Sequence, residues 1–408
     1  MTRTDQHPSR YRWVIVAAAS AMLAIAMGEL VNGLSPFFTT LEAEFGWSRS
    51  EVAFINTAGL IGLSLGGIVL GFAADRFNIR AVVLTGAVVT GLSILAASQA
   101  TALWQLYALF FVAGALGGGA LFAPLFALVG TWFRTGAGLA IGIAAAGQAI
   151  GQGGIPFANA LLIEGLGWRG AFLALGAFSL VTLVPLALLL RGPAAEPHSA
   201  GQAADEEAPA PLKLGTVVVM LSAAVLFCCS LMSVPLMHLV PLIQGRGIPA
   251  PEAGSVVLLM MIVAIGGRGA FGQLSDLIGA IPAYLTASAW QTALVFVFTQ
   301  IGELNHFYIF APIYGFGYAG VMTGVLSTIR ALTPADRRAT ASGIILAFAW
   351  AGHGLGGFLG GMFFDMTGAY TVTFAAAAAA GIANLVIVGA LWRRVAVAHR
   401  LPAPAFSA

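Results

Sequence analysis

Ionisable side chains interrupt several long apolar runs of this sequence. They are Glu29, His238, Arg268 and His353. A guanidinium pairs with a carboxylate through two parallel hydrogen bonds, whereas a carboxyl or an imidazole can take up and release a proton. Such groups are costly to bury in lipid, so they should face a polar cavity. Their types predict a site that binds an anion and moves a proton.

Arg268 lies in the stretch GGRGAFGQLSD, about six residues before the predicted end of its apolar run. One interpretation is that its planar side chain holds a carboxylate within a cavity. The other is that it extends to lipid headgroups, since six residues of helix span roughly 9 Å. The sequence leaves both interpretations open.

Glu29 is the acid placed deepest in a predicted span, about 24 Å along the helix from Trp13. It is the candidate for proton coupling. The alternatives are a position near the outer mouth, or a hydrogen bond to another helix. Helix arithmetic separates Glu29 and Arg268 by about 15 Å in depth, so we expect no direct salt bridge between them.

Further polar side chains within the spans are candidates for substrate contact, because polar groups in lipid must find partners inside the helix bundle. Hydrogen bonding between helices is the alternative role for each of them. The predicted substrate-binding residues are Arg268, His353, Asn32, Tyr318, Gln152 and His238. Gln148, Gln291 and Tyr314 are polar residues of the same kind.

The composition excludes a soluble protein. Hydrophobic residues make up 59% of the 408 positions, charged residues make up 8%, and the mean hydropathy is +0.93. A soluble surface needs far more charge. The net charge of +2 is too small to suggest a nucleic-acid partner. The sequence has no metal cluster, nucleotide loop or nucleophile–base set, so we predict neither a cofactor nor an enzyme.

Twelve apolar segments are long enough to span a bilayer as helices. They divide into two groups of six around a polar stretch rich in Pro, Ala and Glu. We therefore predict an all-α membrane protein with a six-helix bundle over 1–190, a linker over 191–213 and a second bundle over 214–408. The segments are 14–37, 51–73, 81–100, 102–125, 137–161, 170–190, 214–243, 254–274, 281–301, 306–329, 338–362 and 370–392.

Basic residues predict the orientation. With this helix count, 14 of the 18 basic residues fall on the side of both termini and the linker, and three fall on the other side. Because cytoplasmic loops carry the excess of Arg and Lys, both termini should be cytoplasmic and the protein should lie in the inner membrane of the cell. We expect a monomer.

The two halves repeat with an offset of 201 residues. GFAAD at 71–75 corresponds to GQLSD at 272–276, and Gln152 corresponds to His353. The same offset pairs Gly46 with Gly247. Arg268 corresponds to Gly67, so the fold itself does not require arginine at this position. Parallel repeats of six helices are one known transporter architecture, with the substrate site between them.

The loop after the second span contains Gly71, Asp75, Arg76 and Arg80, in a spacing that resembles the loop 2–3 signature of the major facilitator superfamily. The second copy keeps Gly272 and Asp276 but lacks both arginines. The resemblance implies a twelve-helix transporter fold. We predict that Asp75, Arg76, Arg80 and Asp276 form a cytoplasmic gate that pairs in one conformation and separates in the other. Setting the topology by positive charge is the alternative role.

A narrower resemblance is to the monocarboxylate transporter and oxalate/formate antiporter group. The stretches FFTTLEAEFGWSRSEVAFI and WFRTGAGLAIGIAAAGQAIGQ carry it. In that group an arginine of helix 8 lies four residues before the loop 8–9 glycine and binds the substrate carboxylate, as Arg268 lies before Gly272. The sequence departs from the group in having Asn32 in place of a helix 1 lysine and no lysine in helix 11. A dicarboxylate held by two fixed cations is therefore disfavoured.

These observations predict a secondary transporter that moves a small organic anion, a monocarboxylate, by alternating access. A proton or a counter-anion would balance the cycle. The first alternative is efflux of amphipathic drugs or larger aromatic acids, bound by apolar walls. The second alternative is a membrane sensor or partner-binding protein that transports nothing.

Overall fold

Helices account for almost all of the regular structure. The computed structural model describes residues 10–133, 137–191, 212–334 and 337–398. Within these ranges, eleven helical segments are long and apolar enough to cross a membrane. One of them, Ala137–Leu189, contains two crossings, because Gly167 has φ 69° and ψ 170° and breaks the helix. The result agrees with the twelve crossings predicted from hydropathy.

We number the membrane helices α1 to α12 in chain order. Short connections separate most of them, and the long linker at 192–211 lies outside the described residues. The helices are Tyr11–Phe45, Arg49–Arg76, Ile79–Ala97, Leu103–Thr131, 137–166, 168–189, Leu214–Gln244, Ala250–Ile278, Ala280–Gln300, Leu304–Leu332, Arg338–Thr367 and Thr371–Ala398.

The first helix is irregular beyond its midpoint, where the sequence predicts a continuous span. An α-helical part, Tyr11–Met27, leads into a π-helical turn, Gly28–Asn32, and a 3₁₀ turn, Ser35–Phe37, before α-helix resumes at Phe38. A Cβ at Gly28 would lie 2.5 Å from the carbonyl oxygen of Gly151, so α1 touches the backbone of α5 where the π turn begins. The turn therefore arises at a tight contact between helices, which hydropathy does not report.

The backbone reproduces the predicted repeat. All residues with positive φ in the described part of the chain are glycines, and four of them form two pairs that are 201 positions apart. Gly46 (φ 69°) corresponds to Gly247 (φ 80°), and Gly167 (φ 69°) corresponds to Gly368 (φ 67°). Because glycine alone adopts this conformation without a Cβ penalty, the pairs mark equivalent helix ends in the two halves.

Equivalent helix pairs also pack through glycine. A Cβ at Gly151 in α5 would lie 1.8 Å from the carbonyl oxygen of Ala24 in α1. At the equivalent position of the second half, a Cβ at Gly352 in α11 would lie 2.3 Å from the carbonyl oxygen of Leu226 in α7. Small residues let membrane helices approach closely, so glycine fixes the α1–α5 and α7–α11 contacts.

The chain forms two compact units. The first comprises Met1–Pro197 with Leu236–Ile262, and the second comprises His198–Pro235 with Val263–Ala408. The unit boundaries fall within α7 and α8 as well as in the linker. The sequence-based division at 191–213 stays a prediction.

Aromatic packing, an ion pair and hydrogen bonds stabilise one end of the first unit. Phe37 stacks on Phe172 with ring centroids 4.2 Å apart. Arg49 pairs with Glu42 at 2.5 Å. Arg169 donates to the carbonyl oxygens of Ser98 and Ala100 at 3.0 and 2.9 Å. These contacts hold the connections α1–α2, α3–α4 and α5–α6 together.

Candidate functional site

The contact between α8 and α10 positions Arg268. A Cβ at Gly267 would lie 2.0 Å from the carbonyl oxygen of Phe316, and a Cβ at Gly320 would lie 2.3 Å from the ring of Phe271. The two helices therefore reach backbone contact at Gly267, next to Arg268, and the Phe271 ring lies against the backbone of Gly320. A larger side chain at either glycine would push the helices apart or displace the ring.

Tyr318 of α10 lies within electrostatic range of the Arg268 guanidinium. Arg268 is partly buried and Tyr318 is buried. The Tyr314 ring lies next to Tyr318, with centroids 6.3 Å apart, and packs edge-on against Phe298 at 5.1 Å. The Tyr314 hydroxyl is buried and has no hydrogen-bond partner among the described residues. A fixed cation with phenol hydroxyls nearby can bind a carboxylate and donate hydrogen bonds to it.

Glu29 lies in the π turn of α1 and is buried in the first unit. The Ser179 hydroxyl of α6 donates a hydrogen bond to Glu29 Oε1. Glu29 Oε2 is buried and has no hydrogen-bond partner among the described residues. The hydrogen bond to another helix, one of the alternatives from sequence, is therefore present. A carboxyl with one free oxygen can also still exchange a proton, so proton coupling stays a prediction.

Amide side chains from neighbouring helices bind the irregular part of α1. Asn56 of α2 donates to the carbonyl oxygens of Leu30 and Val31 at 2.6 and 3.0 Å. Asn159 of α5 donates to the Gly33 carbonyl oxygen at 2.8 Å. A π turn disrupts the regular helical ladder, and these amides donate to backbone carbonyls within it and directly after it. They hold the turn that carries Glu29.

Asn32 and Gln152 are in contact at the π turn of α1. The Asn32 amide donates to the backbone carbonyl of Gln152, and both residues are buried. The contact links α1 to α5 and gives the Asn32 amide nitrogen a structural role. Asn32 Oδ1 has no partner among the described residues. Substrate contact by Asn32 and Gln152 stays a prediction.

The two histidines occupy different units. His353 is buried in α11 of the second unit, 5.8 Å from the Trp350 ring centroid. His238 is buried in the part of α7 that belongs to the first unit. The His238 ring meets Phe38 edge-on at 5.6 Å. Its role in substrate binding, like that of His353, stays a prediction.

The predicted gate residues lie at helix ends. Arg76 is exposed at the end of α2, and Arg80 is partly buried in the first turn of α3, where its backbone N–H donates to Asn78 Oδ1 at 3.0 Å. Asp276 is exposed near the end of α8. The side chain of Asp75 lies outside the described residues. Gating by these residues stays a prediction.

Ser179, Asn56 and Asn159 were missed by the sequence reasoning. All three are polar residues inside predicted spans, and the rule that selected Asn32 would also have selected them. The sequence alone gives no way to know which of the many polar residues face α1.

The sequence matches a known protein family over most of its length. The model of the Major Facilitator Superfamily matches residues 14–303, which is more than two thirds of the chain. The chain belongs to the major facilitator superfamily. It is a multi-pass membrane transporter and not an enzyme.

Relatives with similar sequences are also named as transporters. Monocarboxylate transporter 13 of Rattus norvegicus is 26% identical over 383 residues, covering 92% of this chain and 88% of that protein. Human monocarboxylate transporter 2 is 22% identical, covering 95% and 86%. MFS-type transporter 1 of Ophiocordyceps sp. (strain BCC 1869) is 26% identical, covering 78% and 70%. These relatives confirm the resemblance to the monocarboxylate transporter group.

Solved structures confirm the all-α fold class. A bacterial homolog of the human lysosomal transporter Spinster, in an inward-facing and unoccupied conformation, superposes with a TM-score of 0.73 at 17% identity. It covers 97% of this chain and all of that chain. A mutant of the nucleoside transporter NupG has a TM-score of 0.73 at 14% identity and covers 94% and 100%. At these identities the likeness shows the fold alone.

Proposed function

We propose that this transporter moves a small organic anion, a monocarboxylate, across the cytoplasmic membrane by alternating access. The observation that carries the proposal is the close packing of α8 on α10 at Gly267, with Arg268 within electrostatic range of Tyr318. The names of the monocarboxylate transporters, which align over most of the chain, support it.

The proposed site binds one carboxylate through complementary groups. The Arg268 guanidinium offers two parallel hydrogen bonds, and the Tyr318 hydroxyl offers a third donor nearby. Because the phenol lies in a buried setting, its hydrogen bond is stronger than it would be in water. Tyr314 and Phe298 give the site an aromatic wall, which suits a short aliphatic or aromatic substituent on the carboxylate.

Either a proton or a counter-anion balances the substrate charge. Glu29 is the candidate proton site, because it is a buried carboxyl in an irregular turn that amides from α2 and α5 hold in place. Exchange of one anion for another needs no proton site. The excess of basic residues at the termini and linker supports placing both termini in the cytoplasm, and we propose that the protein works as a monomer.

Counterflow in proteoliposomes tests the function. We expect short monocarboxylates outside the vesicles to exchange with labelled monocarboxylate inside, and Arg268→Lys to lose most of this exchange while still reaching the membrane. Lysine keeps the charge but loses the planar fork. Arg393→Lys, at an exposed position of α12, is the matched control and should exchange normally. Exchange of large aromatic acids without exchange of short carboxylates would instead favour the efflux alternative.

A further inference from the structure

A second group of arginines lies far along the chain from Arg268, around the start of α1. Its aromatic rings come from the start of α1 and from the two residues after α4. Its arginines come from the start of α1 and from the end of α6. All of its members belong to the first unit. This arginine–aromatic cluster consists of Tyr11, Arg12, Trp13, Trp132, Phe133 and Arg191.

Arg191 is held over an aromatic ring at a fixed backbone position. Its Cζ lies 5.2 Å from the Tyr11 ring centroid. The Tyr11 hydroxyl donates to the Leu189 carbonyl oxygen at 2.5 Å, and Trp132 Nε1 donates to the Arg191 carbonyl oxygen at 2.9 Å. These bonds tie the end of α6 to α1 and to the residues after α4. The Arg191 side chain itself is exposed, so its guanidinium is positioned but accessible.

Arg12 contacts two other rings of the cluster. Its Cζ lies 5.1 Å from the Phe133 ring centroid and 5.8 Å from that of Trp13. Phe133 and Trp13 pack edge-on at 5.3 Å. Arg12 Nε is buried and has no hydrogen-bond partner among the described residues. Cation–π contacts hold the guanidinium in place, and this donor is left for a ligand.

The charges of the two arginines are not neutralised within the described residues. Neither Arg12 nor Arg191 forms a salt bridge there. Two guanidinium groups rest on rings of the cluster, and Arg12 Nε–H has no partner among the described residues. Such groups suit a phosphate, which guanidinium binds through parallel hydrogen bonds. Indole and phenol rings are enriched at the level of lipid headgroups, which is where the start of a membrane helix lies.

We propose that the arginine–aromatic cluster binds the phosphate of an anionic phospholipid headgroup. A lipid is favoured over a free phosphate ion because Trp13 and Val14 are 43% and 40% exposed beside Arg12, on a helix that enters the membrane. They offer an apolar surface to the acyl chains of the same molecule. Basic pockets between membrane helices at the interface are known to bind such headgroups. None of the cluster residues is among the proposed substrate-binding residues.

Thermal unfolding of the purified protein in detergent tests the site, with phosphatidylglycerol, phosphatidylcholine and sn-glycerol 3-phosphate as probes. We expect phosphatidylglycerol to raise the melting temperature of the wild type, and the other two to have little effect at equal concentration. The double variant Arg12→Gln/Arg191→Gln should bind phosphatidylglycerol roughly tenfold more weakly or worse. Arg191→Gln alone, at an exposed position, should show part of this loss if the double variant does not fold.

The control is Arg393→Gln/Arg394→Gln, which removes the same charge from exposed positions of α12. Within the described residues, neither of these arginines rests on a ring. The control should bind phosphatidylglycerol as the wild type does. Equal losses in both double variants would show general charge attraction and overturn the proposal. Equal binding of phosphatidylcholine would also overturn it, as would equal binding of glycerol phosphate, which would identify a free-phosphate site.

Acidic residues of the linker are an alternative occupant of the arginine–aromatic cluster, and the same binding assay tests this alternative. If Asp205, Glu206 and Glu207 occupied the cluster, their replacement by Asn and Gln would raise phosphatidylglycerol affinity about tenfold. We expect no such rise, and observing it would overturn the assignment to lipid.

Discussion

Substituting Gly267 by alanine separates α8 from α10 without touching the proposed ligand groups. The added Cβ would lie 2.0 Å from the Phe316 carbonyl oxygen, whereas ordinary contacts of this kind begin at 3.4 Å. Since the obstacle is backbone and not a flexible side chain, the helices must move apart by about 1.4 Å. Arg268, the next residue, must then move away from Tyr318.

The size of the effect follows from that displacement. Overpacking at a helix contact costs about 1–3 kcal/mol of stability, and a misplacement of about 1 Å can reduce a site's activity on the order of 100-fold. We therefore expect carboxylate transport by Gly267→Ala to fall at least roughly tenfold. Gly266→Ala and Gly269→Ala are the matched controls, because an added Cβ at either meets nothing within 4 Å. Alanine is the better helix former, so neither control should lose stability.

The assay is initial uptake of a radiolabelled short monocarboxylate into proteoliposomes, normalised to incorporated protein, with melting temperatures measured in parallel. The Gly267→Ala variant should lose uptake and melt at a lower temperature, while both controls behave as the wild type. If Gly267→Ala transports and melts like its neighbours, α8 and α10 do not approach as described. If all three variants lose transport equally, the loss cannot be attributed to the displacement of Arg268.

Three further predictions concern single side chains. Glu29→Gln should abolish stimulation of uptake by an inward proton gradient while counterflow persists, and continued stimulation would exclude Glu29 as the proton site. Tyr318→Phe removes one hydroxyl donor, so carboxylate affinity should fall roughly tenfold with an unchanged melting temperature, and an unchanged affinity would remove Tyr318 from the site. Asn159→Leu leaves the Gly33 carbonyl without its donor, so the free energy of unfolding should fall by about 1–3 kcal/mol, and a melting temperature equal to that of the wild type would contradict the role given to this amide.

The number of crossings and the repeat could be predicted from the sequence because both depend on local properties. Apolar runs long enough to span lipid identify the helices. Glycines 201 positions apart identify equivalent helix ends, and the positive φ of Gly167 and Gly368 gives the physical reason for that pairing. Gly167 also explains why α5 and α6 follow each other without a loop of several residues.

The π turn of α1 could not be predicted from the sequence. It coincides with tertiary contacts, namely the approach of Gly28 to the backbone of α5 and the amide donors from α2 and α5. Hydropathy reports that a residue is buried but not which neighbour it meets. For the same reason, the sequence identified Tyr318 as a polar residue of a span without showing that it lies within electrostatic range of Arg268. That placement depends on the glycines of α8 and α10.

Ligand binding by the Arg268→Ala variant tests the proposed anion site most directly. The purified wild type and the variant are compared by thermal shift against a panel of short carboxylates, since a ligand that binds the folded state raises its melting temperature. We predict that at least one monocarboxylate stabilises the wild type and that the same ligand gives no shift in Arg268→Ala. An equal shift in both proteins would show that Arg268 does not bind the carboxylate and would contradict the proposed site.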